Sequence, residues 1–200
     1  MSDRDWNWPL YGGIAGSLGT LAFAAFWSLA ALMDGSWVFG VDALSDLGGD
    51  SPGRCFFNTG AILSGLLLVV FCLGLARILI RGTLAMIGTR MLAASAIALM
   101  GIGVFPETSG EIHLYLSWTF FILAMVSLLL LVRPALRSEV FRRMGAAITL
   151  AVPFGSIITL LATMRIPLAE GVSVILFMVW GLTMSLFVLL NLRAGTVQGH

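Results

Sequence analysis

Charge is what this chain has least of. Only 10% of its residues are Asp, Glu, Lys or Arg, against roughly 25% in an ordinary soluble domain, and no lysine occurs at all. With 59% hydrophobic residues and a mean hydropathy of +1.02, that scarcity excludes a soluble globular domain and points to a bilayer. Cysteine is nearly absent too. Cys55 and Cys72 fall on one apolar run, where a helical rise of about 1.5 Å per residue separates them by roughly 25 Å, too far to bridge. Cys55 is therefore expected as an unpaired, partly buried thiol, with pairing to another chain as the alternative. Neither cysteine has metal-type spacing. No basic cluster or aromatic-basic interleaving is present, which excludes a nucleic-acid partner.

What is present is long apolar segments. Spans of about 20 residues with short connections leave room for six or seven helices in 200 residues. The reading is an all-α, six-transmembrane-helix bundle in one integral membrane domain over residues 1–200. Its spans are near 10–33, 57–80, 86–105, 113–132, 144–164 and 172–192. Trp6 and Trp8 sit like an interfacial anchor. The run from Leu10 to Met33 is too long for a signal-peptide core and reads as the first span. Along it Gly12, Gly16, Thr20, Ala24 and Ser28 recur every fourth residue, a ridge that admits a close helix neighbour.

The third apolar run, from Arg90 to Phe105, is about 24 Å long and shorter than a hydrocarbon core of roughly 30 Å. Either Leu84 to Thr89 completes it at the inner end, or its Phe105-Pro106-Glu107 end is drawn below the surface. Arg133-Pro134 is expected to close span four, and Pro153 to kink span five. Thr149, Ser156, Thr159 and Thr163 on span five are expected to face the bundle and bond a neighbouring helix or the backbone.

Arginine distribution orients the bundle. Arg4, Arg77, Arg81, Arg90, Arg133, Arg137, Arg142, Arg143 and Arg193 fall on one side against Arg54 and Arg165 on the other, nine to two. Both termini are thus expected in the cytoplasm of a multi-pass plasma-membrane protein. Asp34, Asp42, Asp46, Asp50, Glu107, Glu111 and Glu170 gather outside, and Asp3, Asp5 and Glu139 inside. The expected partners are membrane lipids, with a membrane-protein partner or a second copy of the chain also open.

Short connections make consecutive helices neighbours, so the loop from Val41 to Asn58 and the loop from Phe105 to His113 cap the same end. Their polar residues form the candidate site. His113 is a general acid or base by residue type, Asp46 or Glu107 would orient it, and Ser45 or a water would attack, in hydrolysis or acyl transfer. Asn58 and Ser117 are candidate binding residues, Ser117 lying one turn below His113 on the same helix face. Asp42, Asp50 and Glu111 read as turn and helix-start residues. Two carboxylates with one histidine can suit a divalent ion, but no HExxH-type spacing supports it, and neither metal nor cofactor is expected.

Leu44-Ser45-Asp46-Leu47-Gly48, Phe57-Asn58-Thr59-Gly60 and Gly101-Ile102-Gly103-Val104-Phe105-Pro106-Glu107, with His113 opening the next helix, resemble domain-of-unknown-function family 998. These are small bacterial and archaeal membrane proteins, distantly similar to the damage-regulated autophagy modulator group and to proteins that remodel the lipid of glycosylphosphatidylinositol anchors. The resemblance singles out Ser45, Asp46, Gly48, Asn58, Gly60, Phe105, Pro106, Glu107 and His113. It implies no settled activity, and lipid handling only by analogy. Three functions follow as expectations: binding or modifying a lipid headgroup, serving as an accessory subunit of a membrane complex, and carrying a small solute or proton.

Overall fold

A computed structural model describes residues 7–79 and 82–194. Six helices carry the chain: α1 (Trp8–Met33), α2 (Arg54–Ile78), α3 (Thr83–Val104), α4 (Glu111–Arg137), α5 (Arg142–Thr163) and α6 (Ile166–Arg193). All six are long and apolar enough to cross a membrane. Trp6, Arg4, Asp3, Asp5, Ile80 and Arg81, which entered the anchor, span and charge arguments, lie outside the described residues.

Local chemistry sets the helix ends. The Asn7 side chain caps α1 by accepting the Leu10 N–H at 3.2 Å, with Pro9 in the first turn, where a missing N–H costs nothing. Pro167 plays the same part at the start of α6, which begins six residues before the expected 172. The short third run is completed by Leu84 to Thr89, since α3 starts at Thr83 and its 22 residues span about 33 Å. Arg133-Pro134 does not close span four, because α4 continues through Pro134 to Arg137. Pro153 likewise lies inside a continuous α5.

Each helix packs on its chain neighbours, and α6 returns against α1, so the six form a closed ring. Glycine makes the α1–α2 approach possible, for a Cβ on Gly12 would lie 2.8 Å from the Gly74 Cα. Hydroxyls tie neighbouring helices: Ser64 donates to the Gly19 carbonyl and Ser127 to that of Gly88, both at 3.0 Å. The α5 hydroxyls turn to their own backbone instead. Thr149, Ser156, Thr159 and Thr163 each donate to the carbonyl four residues earlier, so each donor is satisfied within the helix. Cys72 is buried, whereas Cys55 is exposed rather than partly buried.

The connections at 34–53, 105–110 and 164–165 lie at one end of the ring, hereafter the acidic end. The first is not a loose loop. Leu44 and Leu47 are 3% and 0% exposed and sit among Phe23, Ala30, Phe57 and Val174, so the segment plugs the ring.

Candidate functional site

The plug is held by its own polar groups. Leu44–Gly48 forms one 3-10 turn, and Asp46 closes it by accepting the Ala43 N–H at 2.8 Å. Trp37 donates its indole N–H to the Ala43 carbonyl at 2.8 Å, and Asp42 accepts the Val38 N–H at 2.7 Å. Asn58 donates to the Gly48 carbonyl at 3.0 Å, anchoring the plug on α2. A Cβ on Gly48 would lie 2.5 Å from the Asn58 Oδ1 and 2.9 Å from the Phe57 ring, so any larger residue there must displace these side chains. Asn58 lines neither of the two cavities at this end and acts as an anchor.

A second tether comes from a residue that the sequence reading had left in a loop. Glu170, in the second turn of α6, accepts the Leu44 N–H at 3.2 Å. The signal for it was Ile166-Pro167, a helix start that places Glu170 on a helix facing the plug.

Two cavities meet at Glu107. The first, about 560 Å³, is lined by Asp34, Asp46, Asp50 and Glu107 with Ser36, Ser51 and neighbouring backbone. The hydroxyls of Ser36 and Ser51 hold the Asp34 carboxyl below the usual carboxylate range. Glu107 behaves oppositely. Burial of its carboxyl, then a hydrogen bond with Asp46, then the charges of Asp46 and Asp50 push its pKa up from 4.5 to about 7.

Because the unfolded chain releases this proton near 4.5 and the folded chain near 7, the native state loses relative stability as pH rises through that window. The unfolding midpoint of the purified protein is expected to fall between about pH 4.5 and 7. Glu107→Gln is expected to flatten that slope. Much of Glu107 is exposed, so screening keeps the effect modest. A slope unchanged by the substitution would assign it to other groups.

The second cavity, about 590 Å³, runs between α4, α5 and α6. Ser45, Glu107, His113, Ser117 and Glu170 line it together with Leu114, Trp118, Phe121, Met125, Ile157 and Leu160. Asp46 does not line it, so the sequence-derived candidates divide: Asp46 meets Glu107 in the first cavity, and Glu107 meets His113 in the second.

His113 is 6% exposed, with its Nδ1 2.9 Å from the Phe105 carbonyl oxygen. A carbonyl only accepts, so Nδ1 carries the proton, and in the neutral ring Nε2 is left with a lone pair. Nε2 is buried and has no hydrogen-bond partner among the described residues. The orienting group expected to be Asp46 or Glu107 is thus the Phe105 backbone. Sequence could not have shown this, because a carbonyl offers no residue type to read. No group of three or more metal-ligating side chains occurs among the described residues.

No curated protein and no solved structure matches the chain. The model of one family, described as "Protein of unknown function (DUF998)", matches residues 17–188, a stretch that takes in the plug, both cavities and parts of all six helices, and the chain is a multi-pass membrane protein belonging to that family.

Proposed function

We propose that this protein binds a lipid of the outer leaflet, headgroup at the acidic end and acyl chain in the slot between α4 and α5. The carrying observation is that one cavity joins a polar mouth to an apolar wall. Ser45, Glu107, His113 and Glu170 line it together with Trp118, Phe121, Met125 and Ile157. From His113 to Met125 the α4 wall is about 18 Å long, a depth suited to an acyl chain. Leu114, Trp118, Ile157 and Leu160 are 40% exposed or more, so the slot opens sideways to surrounding hydrocarbon. The arginine asymmetry supports an extracytoplasmic acidic end, with both termini in the cytoplasm of the plasma membrane.

The arrangement suits binding before chemistry. No serine hydroxyl is hydrogen-bonded to His113 Nε2 among the described residues, so a nucleophile and base pair is not preassembled. Hydrolysis or acyl transfer would draw its attacking hydroxyl from water or from Ser45, with Nε2 taking the proton.

Labelling with a photoactivatable phospholipid in nanodiscs tests the reading. Crosslinks are expected to concentrate on Trp118, Met125 and Ile157, and Ser117→Trp, which fills the slot, is expected to cut them at least tenfold. Crosslinks spread evenly over all six helices would remove the proposal.

A further inference from the structure

We propose that the polar mouth of this cavity selects a lipid whose headgroup ends in a primary amine, its N–H groups donating to His113 Nε2 and to the Glu170 carboxylate. This rests on the lipid-binding reading and narrows it to a headgroup class.

Two residues that line the cavity carry acceptors. His113 is buried, its Nδ1–H is committed to the Phe105 carbonyl, and the unpartnered Nε2 seeks a donor. A buried acceptor without a donor is costly, and a ligand N–H removes that cost. Glu170 accepts from the backbone of Leu44 and of Ser45 and keeps further lone pairs.

Charge points the same way. Glu107 and Glu170 both line the cavity, and Asp34, Asp46 and Asp50 stand in the adjoining one that shares Glu107. Among the described residues no arginine lines either cavity, and the chain has no lysine. The aspartates next door, Asp34 among them, repel an anionic headgroup, while an ammonium relieves the crowding of carboxyls. The first turn of α4 has no side-chain cap and rises beside Gly110 at the same mouth. Its free N–H groups can receive the phosphate of a zwitterionic headgroup.

Primary and quaternary amines separate the two contributions, since both are cationic but only the first donates N–H. Phosphatidylethanolamine, phosphatidylcholine and phosphatidylglycerol with identical acyl chains would compete against the photoactivatable lipid in nanodiscs. The ethanolamine lipid is expected to compete about tenfold better than the choline lipid, and the glycerol lipid to compete least. His113→Phe, which keeps the ring and removes the acceptor, is expected to bring the first two to parity. Glu170→Gln, which keeps an acceptor for Leu44, is expected to narrow the gap to the glycerol lipid and serves if the first variant fails to fold. Slot labelling with equal or reversed competition, or a preference unchanged in both variants, overturns the amine assignment and leaves the lipid reading standing. No slot labelling with any lipid overturns both.

Discussion

Gly74→Leu is expected to lower the thermal unfolding midpoint of the detergent-solubilised protein more than any surface substitution and to broaden its size-exclusion peak. The reason is the α1–α2 crossing. A Cβ on Gly74 would lie 2.6 Å from the Trp8 carbonyl oxygen and 2.7 Å from the Gly12 Cα. Both obstacles are backbone, so no side-chain rotation relieves the clash and the helices must separate along their length. Overpacking of this kind costs roughly 1–3 kcal/mol, and a backbone obstacle places Gly74→Leu at the upper end. Gly74→Ala should fall between. Gly35 has no neighbour within 4 Å of a built Cβ, so Gly35→Ala is the neutral comparison. Equal midpoints for Gly74→Leu and Gly35→Ala would show that the crossing is not tight.

The second large effect is expected at Trp180, where α2, α5 and α6 meet. Its ring is 2% exposed and stands edge-on to Phe71, centroids 5.9 Å apart, while its indole N–H donates to the Thr149 hydroxyl at 3.0 Å. Lipid tails are as apolar as the bundle interior, so what Trp180 contributes is packing and a satisfied donor rather than removal of surface from water. Trp180→Ala leaves a void and is expected to cost about 3–5 kcal/mol. Thr149→Val leaves the indole unpaired and is expected to cost about 1–3 kcal/mol, and Trp180→Phe should cost less than Trp180→Ala. If the two residues act through that bond, combining Trp180→Phe with Thr149→Val should cost less than the sum of the single changes. Strict additivity in the unfolding midpoints would deny the bond a role.

Much of the acidic end could be anticipated from residue types. Ser45-Asp46-Leu47-Gly48 has turn chemistry, and Asp46 does close a turn. Ser117 was expected on the face of His113 because an α-helix returns after about 3.6 residues, and both line one cavity. Asn58 was read as a binding residue; its amide nitrogen donates to the Gly48 carbonyl, a contact set by how the plug folds back rather than by any spacing, while its Oδ1 has no hydrogen-bond partner among the described residues. Leu47 has Asp46 on one side and Gly48 on the other, yet it is fully buried, because the ring leaves a gap among Phe23, Phe57 and Val174 that no local pattern reveals.

Composition and hydrophobic run length by themselves determined that this is a six-helix membrane protein, because apolar length against bilayer thickness is a one-dimensional property. Only the tertiary structure decided the site. Closing α6 against α1 and α5 carries Glu170 to the plug and to the cavity of His113, and the turn at Phe105 aims a carbonyl at the imidazole. Both depend on residues far apart in the chain or on backbone atoms common to every residue. That is why an ordinary histidine at a helix start became a buried ring whose Nε2 has no hydrogen-bond partner among the described residues.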